Sequence, residues 1–178
     1  MLLDAAARLQ AMGIAFELDV IGEDIAGDGA MQRYTAEREM SDRVRFHGFL
    51  PHGATRSYFE KADLLVVTSR HEAGPLVALE AAVAGVPTVG TNIGHLAEWA
   101  PLAARVVETR DSVGLARAIA DLLDSEDERL LMAARAQTIA LVENADVTTA
   151  RFRDAYAELS RHSRRARRRG VRRRDYAV

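Results

Sequence analysis

The sequence predicts an α/β fold, a parallel sheet covered by helices on both faces. Short β-branched runs alternate with amphipathic stretches along the whole chain, the pattern of βαβ units. One such unit stands out at residues 64–84, where a strand, a glycine turn and a helix follow one another directly. The 178 residues suit about one domain, enough to bury a core.

Leu2 to Met12 reads as a helix with Leu2, Leu3, Ala6, Ala7 and Leu9 on its apolar face, stopped by Gly13. Phe16 to Ile21 reads as a strand ending in Gly22, followed by a polar loop over Glu23–Gly29 and a polar helix from about Ala30 to Met40. Val44 to Leu50 is a strand and its exit, closed by Pro51. Ala54 to Lys61 is a helix with Tyr58 and Phe59 as its apolar contacts. Leu64 to Ser69 is a buried strand. Leu76 to Ala84 is the helix after it, with Pro75 where the helix begins, because a missing N–H costs nothing there.

Val86 to Gly90 is a further strand, Leu96 to Trp99 a helical turn with Trp99 in the core, and Ala104 to Val107 a last strand. Ser112 is the expected N-cap of a helix to Leu123. Helices over Asp127 to about Val142 and Thr148 to about Ser160 complete the body. The chain opens with a helix, where a Rossmann-like doubly wound sheet opens with a strand. In the order 3-2-1-4-5-6 that strand is central. Its absence leaves a hole in the sheet, filled by another chain, closed by the sheet itself, or marking a fragment.

Composition sets limits. With no cysteine there is no disulfide framework and no thiolate metal site. No apolar run approaches the roughly 20 residues of a membrane span, and the start lacks the form of a signal peptide, so the expected location is cytoplasmic. The net charge of −2 hides an asymmetry. Nine arginines fall between Arg161 and Arg174, against Asp175 alone, which leaves 15 basic and 25 acidic residues in the rest. The expected boundary is therefore a domain over 1–160 and a disordered basic tail over 161–178. Such a tail can meet an anionic membrane surface, consistent with a peripheral place at the inner membrane face. Nucleic acid is the weaker partner, because no aromatics interleave the arginines for bases to stack on.

The chemistry concentrates in His71-Glu-Ala-Gly-Pro-Leu-Val-Ala-Leu-Glu80. A glycine turn leading into a helix presents unpartnered amides to an anion. Glu80 is the only Asp, Glu, Lys or Arg between Ala73 and Ala97, on a helix otherwise of Leu, Val and Ala that is expected to be covered all round. A buried carboxylate there needs partners. Two vicinal sugar hydroxyls suit it, since both donate and a carboxylate only accepts. Backbone amides, or an exposed strip without a role, are the alternatives.

Three segments then carry a resemblance: Asp42 to Pro51, Ala62 to Glu72, and Glu80-Ala-Ala-Val-Ala-Gly-Val-Pro-Thr-Val89. Over roughly Leu2 to Ser160 the chain resembles the C-terminal, nucleotide-sugar-binding domain of the retaining group 1 (family 4) glycosyltransferases of GT-B fold. The resemblance implies that Glu72 lies beside the donor sugar, as the candidate catalytic residue, and that Glu80 holds the ribose. It implies that Gly74, Pro75 and Leu76 lie along the sugar and diphosphate, that Gly48 and Phe49 meet the base, and that Gly22 lies near the phosphates. His71 is a further candidate for a phosphate or sugar contact, and Gly94 and Glu98 match a segment of less certain function.

The implied donor is a UDP-, GDP- or ADP-sugar, transferred without cofactor or metal to an unknown acceptor. Two departures bear on this. Ala-Gly-Pro replaces the family's Gly-Phe-Gly after the first acid, so Leu76 and Val77 become the expected phosphate donors. The family's diphosphate-binding Arg and Lys, near the first strand, have no counterpart, and Lys61, the only lysine, is on the wrong helix. The expectation is therefore a donor-binding half of a glycosyltransferase, incomplete without a separate N-terminal domain. The alternatives are a non-catalytic nucleotide-sugar-binding module and, less favoured, a nucleic-acid binder.

Overall fold

The computed structural model describes residues 1–22, 28–142 and 145–168. In chain order it forms α1 (Leu2–Ala11), β1 (Leu18–Ile21), α2 (Ala30–Glu37), β2 (Val44–Gly48), α3 (His52–Phe59), β3 (Leu65–Val67), α4 (Leu76–Ala84) and β4 (Thr88–Thr91). It continues with α5 (Gly94–Trp99), β5 (Arg105–Val107), α6 (Ser112–Asp124), α7 (Glu126–Val142) and α8 (Ala145–Arg168). Every strand pairing is parallel. The expected loop over Glu23–Gly29 lies mostly outside the described residues.

The sheet is in two pieces. β1 pairs with β2, from Leu18 opposite Val44 to Ile21 opposite Gly48, with a slip after Val20. β3, β4 and β5 form a second sheet in that order, with Val67 opposite Gly90 and Thr91 opposite Val107. Among the described residues no ladder joins β1 to β3, where the doubly wound order places its first strand. The sheet has not closed over the gap.

What joins the two pieces is α1. Ala5 and Leu9 pack with Val89, Leu115, Ile119 and Met132 on one face of the three-stranded sheet. Ala6 packs with Met40 and Val44 over the two-stranded sheet. Phe16 touches both clusters. The opposite face of the three-stranded sheet is covered by α4, α5 and α7, through Ala78, Ala82, Leu96, Trp99 and Ala136 packed on Val67. Small residues dominate that layer, so helix and sheet approach closely.

Local signals place the element ends. α4 ends at Gly85, whose φ of +77 fits the left-handed cap, with Val86 N–H donating to Ala81 O at 2.8 Å. α6 is capped by Asp111, not by the expected Ser112. The Asp111 carboxylate accepts from Gly114 N–H at 2.7 Å and ties down an amide that the helix leaves free. α5 begins two residues earlier than the expected turn, at Gly94.

The chain divides into two compact units, Met1–Ala140 and Leu141–Val178. In the second, α8 runs past the expected end at Ser160 to Arg168 and takes in the first arginines of the basic segment. Phe152, Tyr156 and Leu159 recur at helical spacing along it and are exposed. The remainder of that segment lies outside the described residues. No helix among the described residues is long and apolar enough to cross a membrane.

Candidate functional site

The C-terminal ends of β3, β4 and β5 point the same way, and the loops leaving them meet. Parallel α/β sheets bind ligands at that end, because helix starts and loop amides converge there. The loop after β3 carries Arg70, His71, Glu72 and Ala73, and the start of α5 brings Ile93 and Gly94 against it. Together these six residues line an open cleft of about 570 Å³.

Close backbone approach holds this wall in place. A Cβ on Gly94 would lie 2.6 Å from Ala73 O and 3.0 Å from Glu72 O, so only glycine lets α5 seat on the loop. From below, the buried Thr91 hydroxyl donates to Ser69 O at 2.6 Å. The Ser69 hydroxyl in turn donates to Glu72 Oε1 at 3.1 Å. Glu72 is thus anchored through one oxygen while its side chain stays exposed on the cleft. An anchored, solvent-facing carboxylate is a fixed acceptor for ligand hydroxyls.

The expected residues of α4 fall differently. Pro75 is the N-cap, with φ −66° and ψ +112°, one place before the first helical residue. Ala78 N–H donates to Pro75 O, so the Leu76 and Val77 amides are the ones the helix start leaves over. α4 is not covered all round. Ala78, Ala81 and Ala82 are buried, whereas Leu76 is 71% and Val83 52% exposed, because only one side of the helix meets the sheet. Glu80 sits between those sides, half-buried and already engaged by the protein, outside the lining of the cleft.

The remaining candidates lie apart. Gly22 and Gly48 end β1 and β2, with Gly22 N–H donating to Gly48 O at 2.8 Å, and Phe49 stands exposed beyond them. Beside them His47 is held between two partners. One ring nitrogen lies 2.6 Å from Asp19 Oδ1, and the other lies 3.2 Å from the Tyr58 hydroxyl. A single tautomer satisfies both, with Nε2–H donating to the carboxylate and Nδ1 accepting from the phenol. Trp99 is buried as expected and stacks on His95.

On the other wall of the cleft, sequence reasoning missed Ile93, which carries no chemical signal. It matched Gly94 only to a segment of less certain function, because its place is set once α5 folds onto the loop.

A family model, Glycosyl transferases group 1, matches residues 1–139. The chain belongs to the group 1 glycosyltransferases. Among the relatives of this glycosyltransferase chain is a glycogen synthase of Mycobacterium tuberculosis. It is 40% identical over 106 residues, which are 56% of this chain and 26% of that protein. A D-inositol 3-phosphate glycosyltransferase of Streptomyces scabiei is 30% identical across 84% of this chain and 34% of its own length. The group 1 chain thus spans about a quarter to a third of these relatives.

Solved structures show the same fold at lower identity. Sucrose-phosphate synthase from Thermosynechococcus elongatus superposes with a TM-score of 0.77 at 22% identity, covering 89% of this chain and 42% of that one. HepE of Anabaena, in complex with UDP and glucose, superposes with a TM-score of 0.74 at 21% identity, covering 87% and 43%. The fold is the Rossmann-like domain of GT-B glycosyltransferases.

Proposed function

We propose that this chain binds a nucleotide-diphosphate sugar and serves as the donor half of a retaining, hexosyl-type, metal-independent glycosyltransferase of the cytoplasm. The observation that carries the reading is Glu72, anchored by Ser69 and exposed on the cleft where the strand ends converge in a group 1 chain. In this reading Glu72 accepts hydroxyls of the sugar, Gly74, Leu76 and Val77 lie along the diphosphate, and Glu80 turns to the ribose. Gly22, Gly48, Phe49 and His71 border the rest of the nucleotide. HepE, described with UDP and glucose bound, supports a donor of this class.

Because the matched segment is only about a quarter to a third of these relatives' length, acceptor choice and turnover are assigned to a further domain. Departure of a nucleoside diphosphate builds negative charge, and transfer needs that charge offset at the moment of bond breaking. The test has two parts. Thermal shift against UDP-, GDP- and ADP-sugars should show one stabilising ligand class, unaffected by EDTA. Incubation of the pure chain with labelled nucleotide sugars should show no transfer at family-like rates. Stabilisation by none of the donors would remove the donor-binding reading, and brisk transfer would remove its incompleteness.

A further inference from the structure

A second, narrower cleft of about 160 Å³ lies at the same end of the sheet. Thr68 follows β3, Thr91 ends β4, and Thr109 and Arg110 follow β5, so all three strand ends contribute to it. Arg70 lines this cleft as well as the larger one, and so joins the two. Among the described residues neither the Arg70 nor the Arg110 side chain has a hydrogen-bond or ion-pair partner.

The one carboxylate in the lining is already compensated. Asp4 accepts from the Tyr34 hydroxyl and pairs with the Met1 amine at 2.9 Å. Thr91 spends its proton on Ser69 O, which leaves Thr68 and Thr109 as the free hydroxyl donors. Two unpaired guanidinium forks and two hydroxyls around one cleft make a receptor for a multiply charged oxyanion. The Asp4 carboxylate keeps its charge, but the Met1 amine in the same lining offsets it and leaves the two guanidinium groups in excess.

We infer that Arg70 and Arg110 form the anion subsite that takes the diphosphate of the donor, with Arg70 placed between sugar and leaving group. This rests on the donor-binding reading above, and supplies charge compensation from two loops at strand ends. The Arg110 backbone is set by the turn in which Asp111 N–H donates to Glu108 O at 3.1 Å. As the bond from the sugar's anomeric carbon to the diphosphate oxygen breaks, its electron pair passes to that oxygen. An acceptor hydroxyl oxygen bonds to the carbon and gives up its proton to the departing diphosphate, and the two cations stabilise the charge that develops on the leaving group.

The experiment is titration of the full chain with inorganic pyrophosphate, free of divalent ions, followed by the same titration with the nucleotide sugar. Arg70→Gln and Arg110→Gln should each weaken pyrophosphate binding about tenfold or more, the usual effect of losing a charge-assisted contact. Arg70→Lys and Arg110→Lys should fall between, keeping the charge and losing the fork. Lys61→Gln should change nothing. All variants should keep the parent melting temperature, because the arginines are exposed. Pyrophosphate that does not bind the parent chain, or binds all variants equally, overturns the inference. Nucleotide-sugar binding indifferent to both arginines overturns it too, and leaves the donor reading standing. Arginine-dependent pyrophosphate binding with no nucleotide sugar bound removes the donor reading and with it the assignment of this subsite to the donor's diphosphate, leaving an anion site alone.

Discussion

Gly94→Ala tests the packing that builds the cleft. The new methyl would start 2.6 Å from Ala73 O and 2.9 Å from Ala73 C, backbone atoms that cannot rotate away. Gly94 also has a φ of +47°, a left-handed conformation that costs a residue with a Cβ about 1–2 kcal/mol. Relieving the overlap by moving the loop or α5 adds the cost of an overpacked core, about 1–3 kcal/mol. Taking about 3 kcal/mol for the pair, melting should fall by about 6–12 °C for a chain of this length. The same shift displaces Ala73 and its neighbour Glu72, so nucleotide-sugar affinity should fall with stability. The matched control is Gly53→Ala on α3, where a Cβ meets nothing within 4 Å and φ is ordinary. It should change stability by no more than about 1 kcal/mol, in the favourable direction for a helix. Calorimetry and donor titration on both variants decide the matter. A Gly94→Ala protein that melts with the parent would refute the close seating of α5 on the loop.

Other outcomes follow from the same geometry. Glu72→Ala should spare binding of the free nucleoside diphosphate and weaken only the sugar-bearing form, whereas Glu80→Ala should weaken both. Equal losses for both ligands in both variants, measured by titration, would sink that division of roles. Thr91→Val removes the buried hydroxyl beneath Ser69 and should cost about 1–3 kcal/mol, with lower donor affinity through the displaced loop. The Tyr34 hydroxyl, and then the Met1 amine, hold the Asp4 carboxyl below its ordinary value, against a smaller opposing effect of burial. A depressed carboxyl stabilises the fold above its unfolded value, near 4, and that contribution is lost as pH falls through the lower folded value. Tyr34→Phe should therefore destabilise at neutral pH and lose its effect in strong acid. A difference in melting temperature that persists unchanged at pH 2 would count against it.

Much of the fold was legible because its signals are local. The strand positions follow from β-branched runs, and α4 spans Leu76–Ala84 as its pattern predicts. Gly85 and Gly13 mark helix ends through a conformation that glycine tolerates. Asp111 rather than Ser112 caps α6, because adjacent capping residues compete and only the turn geometry decides between them. The exposure of α4 could not be read from composition. Leu76 and Val83 look like core residues, yet whether a helix side is covered depends on elements distant in sequence. Of the residues that line the two clefts, Glu72 was legible, as a polar residue interrupting a strand–turn–helix unit, and Arg110 was not, because its place follows from β5 lying beside β4. Glu80 stood out by its isolation in sequence. Its isolation in space did not follow, because the protein itself engages it.

The divided sheet makes one more demand on the molecule. Parallel sheets are usually continuous through the core, and here cohesion passes instead through α1 and Phe16. Leu9 and Ala5 serve the three-stranded side, Ala6 the two-stranded side, and Phe16 packs against both clusters. Truncating a fully buried phenylalanine costs about 3–5 kcal/mol, and Phe16 is only partly buried, so Phe16→Ala should cost about 2 kcal/mol. The more telling effect is on cooperativity. With α1 as the remaining bridge, β1, α2 and β2 should open before the three-stranded sheet does. Trp99, the single tryptophan, is buried on the three-stranded side and reports that part alone. In the parent chain its fluorescence and far-UV circular dichroism should unfold together. In Phe16→Ala the dichroism should begin to fall at lower denaturant than the fluorescence, with amide exchange rising first in 18–21 and 44–48. Coincident transitions shifted by the same amount would show that the two sheets are held together by contacts other than this ring.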